Sequence, residues 1–150
     1  MEKFLISQKA LIVSGDKLLI FRKEKNNQIY LDFPGGRISE GESQIEAFKR
    51  ELKEELIGVD INKMEIDLDP LYVYEMPQDL IKSDIRMLVI FYRVDYKGDL
   101  NTLQISDEHL NMALVDLDSE NAFDDLKVLE GYMEAINNFK KVKNNLNKCY

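Results

Sequence analysis

In the stretch GGRISEGESQIEAFKRELKEEL, Gly35 to Leu56, three carboxylates fall within five residues: Glu51, Glu54 and Glu55. Their spacing predicts one side of a helix, where like charges three and four residues apart repel. Glu54 and Glu55 also fall in its last turn, where negative charge opposes the helix dipole. Clustered carboxylates with no neighbouring His or Cys suit a hard cation, magnesium or manganese above all. Magnesium keeps several waters and engages substrate phosphates, so such a site can take an anionic substrate through a bridging ion. A bound ion would polarise a phosphoryl oxygen, orient the leaving group and acidify a water, and a carboxylate free of metal could accept that water's proton. The competing account is a solvated helix face, with Arg50 paired to Glu46 or Glu54.

The helix that must carry these groups is well marked. Ser43 is placed to cap it and Glu46, three residues on, completes a capping box. Ile45, Phe48, Leu52 and Leu56 recur at spacings of three and four, an apolar stripe expected to pack on a sheet. At about 100° per residue the three glutamates form a second stripe, roughly 100° around from the first. The spacing thus predicts a helix over about Ser43 to Leu56, with Gly58 as a left-handed stop.

Around it the chain reads as strands. FLISQKALIVS and KLLIFRKE flank a turn at Ser14-Gly15-Asp16, and KNNQ leads into the short IYLDF. Pro34-Gly35-Gly36 is expected to begin a loop. MEIDLDPLYVYEM and DIRMLVIFYRVDY predict two further strands, the second apolar enough to lie centrally, and MALVDL a shorter one. From about Phe123 to Lys143, Leu126, Leu129, Met133, Ile136 and Phe139 fall at helical spacing and predict a closing amphipathic helix. Strands with one internal and one late helix fit a mixed sheet covered by helices.

The composition narrows the function classes. With 150 residues, 45% hydrophobic and 32% charged, the sequence is that of an ordinary globular domain. A net charge of −8 argues against stable nucleic-acid binding, which needs basic surface. No apolar run approaches the roughly 20 residues that span a bilayer, and MEKFLISQKALIVSG reads as a strand, not a leader. The single cysteine, Cys149, permits no internal disulfide, so a cytoplasmic location is expected. His109, the single histidine, has no partner motif and reads as a surface residue. The lysines Lys140, Lys141, Lys143 and Lys148 suit a solvated helix end that complements the dipole.

Gly36, five residues, Glu42, seven residues, then Arg50-Glu51-Leu52-Lys53-Glu54-Glu55 resembles the Nudix box of MutT-like hydrolases. Phe33-Pro34-Gly35-Gly36 resembles the turn through which many members enter it. One position departs: Ile57 stands where the family pattern has Gly, and Gly58 follows one residue later, which puts the path into the next loop in question. The resemblance implies an α/β/α sandwich with a mixed β-sheet, a single Nudix domain over residues 1–150, and metal-dependent hydrolysis of a phosphoanhydride in a nucleoside diphosphate linked to another moiety. It implies magnesium or manganese on Glu51, Glu54 and Glu55 with the Gly36 carbonyl as a further ligand, Arg50 orienting the glutamates, and Glu42 supporting the loop or a metal-bound water. The general base would be a box glutamate or Glu108 in the late acidic loop SDEH. Tyr74 lies where some dinucleoside-polyphosphate hydrolases carry a base-stacking tyrosine, although Tyr72 and Tyr74 also alternate as in an ordinary strand. Arg22 and Arg86 could hold phosphate or simply solvate their strands. A small nucleotide derivative is the implied partner, and family members often form homodimers. Other classes open at this point are a ligand-binding module without turnover, a related isomerase and an RNA-end hydrolase.

Overall fold

Strand β1 (Phe4–Ser14) organises the molecule, because its alternating side chains serve two cores at once. Leu11 and Val13 enter one buried cluster, while Ala10 and Ile12 enter another on the opposite face. The computed structural model describes residues 2–82, 84–106 and 111–148, with the side chains of 143–148 outside the described set. After β1 come β2 (Lys17–Lys25), β3 (Gln28–Asp32), β4 (Gly35–Arg37), helix α1 (Gln44–Glu55), β5 (Leu56–Ile57), β6 (Met64–Glu75), β7 (Arg86–Tyr96), β8 (Gln104–Ile105), β9 (Asn111–Asp116) and helix α2 (Glu130–Lys148).

The main sheet runs β3-β2-β1-β7-β6, with β4 paired to β1 and β9 paired to β2. β1 and β7 are parallel from Phe4–Arg86 to Val13–Asp95, while the other pairings are antiparallel, so the sheet is mixed as the sequence predicts. β5 and β8 form a separate two-stranded ribbon. Each face has its own helix. Tyr132, Ala135, Ile136 and Phe139 of α2 close over Leu11, Ile20 and Phe91, and Phe48 and Leu52 of α1 close over Ile12, Phe21 and Tyr92. Each fully buried side chain of this size contributes about 1.5–3 kcal/mol by leaving water. The result is the α/β/α layering expected from the sequence.

Several local expectations change. Ser43 does cap α1, and its capping box with Glu46 is complete, but Ile45 is only half-buried while Ala47 and Glu55 are buried. Gly58 has φ +90 yet does not stop the helix. Leu56 turns extended at the end of α1 and pairs with Ile105, and the Ser106 N–H takes up the Glu55 carbonyl at 3.0 Å. Pro34-Gly35-Gly36 leads into a short strand, β4, not straight into a loop, because Gly35 to Arg37 pair with Lys9 to Ser7. The late helix begins at Glu130, seven residues after Phe123, although Leu126 and Leu129 have helical spacing. Lys127 exchanges backbone hydrogen bonds with the β3 edge, accepting from Leu31 N–H at 3.0 Å and donating to the Ile29 carbonyl at 2.9 Å. That bridge holds the segment against the sheet, so its apolar side chains pack from a loop. Met133 lies on the exposed side of α2, 37% accessible.

Candidate active site

Arg50 is the hub of the box. Its Nε donates to Glu42 Oε2 at 2.6 Å and one terminal nitrogen to Glu42 Oε1 at 2.9 Å, a forked pair. The other terminal nitrogen reaches Glu51 at 3.0 Å and Glu54 at 3.2 Å. Glu42 Oε1 also accepts from the Ser39 N–H at 3.1 Å, which fastens the loop between β4 and α1 to the helix. Arg50 therefore bonds three box carboxylates, one of them eight residues before it, while Glu46 stays with its cap. These hydrogen bonds drop the Glu42 carboxyl to about 2 and raise the guanidinium above its already high value.

The three helix glutamates sit in three environments. Glu54 is the most open, with 58% of its side chain accessible, and Glu51 has 20%. Glu55 is 3% exposed and accepts the Gly35 N–H at 2.8 Å. Burial raises the Glu51 pKa, Arg50 opposes that rise, and the charges of Glu54 and Glu55 add to it. Glycine at position 36 makes the arrangement possible. A Cβ there would lie 2.3 Å from the Glu51 carboxyl carbon, so the carboxylate rests against bare backbone. Gly35, at φ +142, has no such room either, since a Cβ would lie 1.9 Å from the Gln8 carbonyl oxygen.

The donor set suits a hard cation. Glu42, Glu51, Glu54 and Glu55 offer oxygen only, and Arg50 is the cation hydrogen-bonded to Glu42, Glu51 and Glu54. Among the described residues no three acidic, histidine or cysteine side chains already converge at metal-binding distance. Glu51 and Glu54 point their carboxylates at Arg50, and they would have to turn from it to share an ion.

The remaining described candidates, Arg22, Tyr74 and Arg86, fall outside this cluster. Arg86 is forked onto Glu75 at 2.6 and 2.8 Å, with Glu2 at 3.3 Å and the Phe4 ring beneath it, so its partners are not box residues. Arg22 pairs with Asp125 at 3.3 Å. Tyr74 packs against Gly131 at the start of α2, where a Cβ would come within 2.0 Å of its ring, and burial raises its pKa. That contact makes Tyr74 part of the α2 packing. Glu108, His109 and Cys149 lie outside the described residues.

Next to the box is a cavity of about 520 Å³ that the sequence did not announce. It takes Lys9 from β1, Lys23 and Lys25 from β2, Tyr30 and Asp32 from β3, Arg37 from β4 and Lys82 from the loop between β6 and β7, over a floor that includes Leu31 and Tyr132. None of the box glutamates lines it. The connection is Arg37, which follows Gly36 on β4 and whose carbonyl accepts from Arg50 at 3.4 Å. Asp32 is buried; its Oδ1 accepts from Phe33 N–H at 2.8 Å and from the Tyr132 hydroxyl at 3.3 Å, and the Lys9 ammonium ion-pairs with it at 3.2 Å while donating to Oδ2 at 3.4 Å. The available signals were Lys9 inside an apolar strand and Asp32 just before the Phe-Pro-Gly-Gly turn. Neither had a partner visible along the chain.

The comparisons agree with this architecture. The family model described as NUDIX domain matches residues 6–133. No curated protein matches the chain in sequence. A MutT protein from Methanosarcina mazei Go1 superposes with a TM-score of 0.68 at 22% identity, over 95% of this chain and 96% of that one. A C. elegans Ap4A hydrolase gives 0.70 at 17% identity, over 94% and 98%. A bifunctional NMN adenylyltransferase/ADP ribose pyrophosphatase from Francisella tularensis, complexed with AMP and a Mn ion, gives 0.69 at 17% identity, over 94% of this chain and 42% of that one. With the box geometry, the sandwich and a family match over most of its length, the chain belongs to the NUDIX domain family and is a Nudix hydrolase.

Proposed function

We propose that this hydrolase cleaves a phosphoanhydride bond in a nucleotide derivative with the help of magnesium or manganese held by Glu51, Glu54 and Glu55. The observation that carries the reading is Arg50 hydrogen-bonded at once to Glu42, Glu51 and Glu54, beside a glycine strand that leaves no side chain between Glu51 and backbone. When bound, the ion would neutralise the phosphate oxygens and acidify a water. Arg50 positions the helix carboxylates and, through Glu42, ties their helix to the loop between β4 and α1. Glu55, bonded to the Gly35 N–H, fixes the distance between α1 and β4, and the Gly36 carbonyl is a further ligand. Glu54, the most accessible of the three, would accept the proton of the attacking water on the carboxylate oxygen that the ion leaves free. The neighbouring cavity, with its basic rim and the Tyr30 ring, receives the organic part of the substrate. A small nucleotide derivative as partner and a cytoplasmic location belong to the same reading.

The test is a screen of dinucleoside polyphosphates, ADP-ribose, nucleotide sugars and oxidised nucleoside triphosphates in magnesium or manganese, with the nucleotide products separated and quantified by chromatography. Turnover of at least one class should vanish in EDTA and return when the metal is restored. Undiminished turnover in metal-free buffer would sink the mechanism.

A further inference from the structure

The cavity beside the box has the opposite charge to the chain that encloses it. The chain carries −8 overall, yet Lys9, Lys23, Lys25, Lys82 and Arg37 line the cavity and Asp32 is the one acidic side chain among its lining residues. Asp32 is already engaged by Lys9 at 3.2 Å. Lys25 donates to the Leu80 carbonyl, which holds its ammonium at the wall without neutralising it. Lys23, Lys82 and Arg37 form no ion pair among the described residues, although acidic residues outnumber basic ones 28 to 20 in the chain. Elsewhere on the surface Lys17, Lys97 and Arg86 each have a carboxylate within 4.0 Å. Gathering cations in a concave site without counter-ions raises the local potential and favours an incoming anion.

The position of these cations separates their role from that of the box. Alternation along β4 sends Arg37 to the side opposite Gly36, so Arg37 borders the cavity while Gly36 meets Glu51. Arg37 is therefore a cation of the cavity, on the side of β4 away from the box carboxylates. Lys23, Lys25 and Lys82 come from β2 and the loop after β6, next to apolar Leu80 and Ile81. We propose that the ligand carries, besides the anhydride, a further phosphate seated among Lys23, Lys25 and Lys82. For the anhydride half this rests on the hydrolase reading, and for the second phosphate it rests on the cavity alone. Two chemical sources supply such a phosphate, a terminal monoester or an extended polyphosphate chain, and both present the same anionic oxygens to ammonium groups.

Calorimetry on the full chain in EDTA, where metal-dependent turnover does not interfere, separates the two. One arm compares adenosine 3′,5′-bisphosphate with AMP, and the other compares diadenosine tetraphosphate with diadenosine diphosphate. The more phosphorylated member of at least one arm should bind about tenfold more tightly, and the arm that shows it names the source. In a Lys23→Ala, Lys82→Ala variant that ratio should collapse towards one. Both side chains are exposed, so the variant should fold, and a thermal melt checks it. Rising salt should shrink the preference of the parent protein in the same way, which gives a readout independent of the variant. Equal affinities in both arms overturn the proposal, as does a preference that survives the double substitution or high salt. Absence of turnover for every ligand in magnesium, with the binding preference intact, would defeat the hydrolase reading and leave the second-phosphate site standing.

Discussion

Glu51, Glu54 and Glu55 are identical side chains to which one helix gives different surroundings, and their substitutions should separate accordingly. Glu54 is exposed and shares Arg50 with two other carboxylates, so Glu54→Gln removes little net attraction and relieves charge at a helix C-terminus. In EDTA its stability should lie within about 0.5 kcal/mol of the parent, while its turnover in magnesium falls by orders of magnitude. Thermal melts and initial rates beside Glu46→Gln, on the same helix but in the cap, make the comparison. Near-parental turnover in folded Glu54→Gln would return the glutamates to the solvated face. Acid titration should divide Glu42 from Glu51. The Glu42 carboxyl is lowered to about 2, so its stabilising contribution is full above the ordinary carboxyl value of 4.5 and is lost as pH falls through about 2. The Glu51 pKa is raised by burial, so its ionised form opposes folding above that pKa, and the penalty lifts as pH falls through it. In metal-free melts Glu42→Gln should therefore lie below the parent at neutral pH and approach it in acid, whereas Glu51→Gln should lie no lower than the parent at neutral pH. The opposite ordering would show that Arg50 binds Glu51 in preference to Glu42.

Strand β4 and helix α1 form the element pair on which the site depends, and two adjacent glycines there should fail differently. Gly36→Ala puts a methyl against the end of a flexible carboxylate, so the chain should fold, with Glu51 displaced and turnover reduced at least about a hundredfold. Gly35→Ala meets the fixed Gln8 carbonyl and requires φ +142, so it should cost at least about 2 kcal/mol of stability. Denaturant melts with activity on both variants test this, and equal loss of stability in the two would refute the difference in what they touch. The same elements show what was legible beforehand. Capping and periodicity are local, so Ser43, Glu46, Phe48 and Leu52 could be read from neighbours in the chain. The burial of Glu55 could not, because its partner is a backbone N–H twenty residues earlier in β4. Nor could the start of α2, since the spacing of Leu126 and Leu129 is helical and only the Lys127 bridge to β3 overrules it. Gly58 kept its positive φ but gave the helix stop to Leu56, whose extended backbone answers to β8, a partner nearly fifty residues on.

At the scale of the molecule, β1 brings two charge regimes together. Its pairing with β4 places carboxylates under α1 beside a cavity lined with lysines, in a chain whose overall charge is −8. The box motif was visible because its residues are close in sequence. The cavity was not, because Lys9, Lys23, Arg37 and Lys82 come from four separated segments that only the sheet assembles. This arrangement makes metal binding a stability effect of the whole fold. Burial raises the Glu51 pKa and the charges of Glu54 and Glu55 add to the rise, so an ion that binds these carboxylates in the folded state but not in the unfolded chain must stabilise the fold. At a metal concentration about a hundred times the dissociation constant the gain is about 2.7 kcal/mol, or roughly 5–10 °C in melting temperature for a chain of this size. Magnesium and manganese titrations followed by thermal melts should therefore show a saturable rise in the parent protein. The rise should be smaller in Glu51→Gln and in Glu54→Gln, and preserved in Glu46→Gln. Because this reads binding and not turnover, it needs no substrate. A parent melting temperature indifferent to both ions would mean that Arg50 satisfies the box carboxylates by itself, and the metal assignment would fail with it.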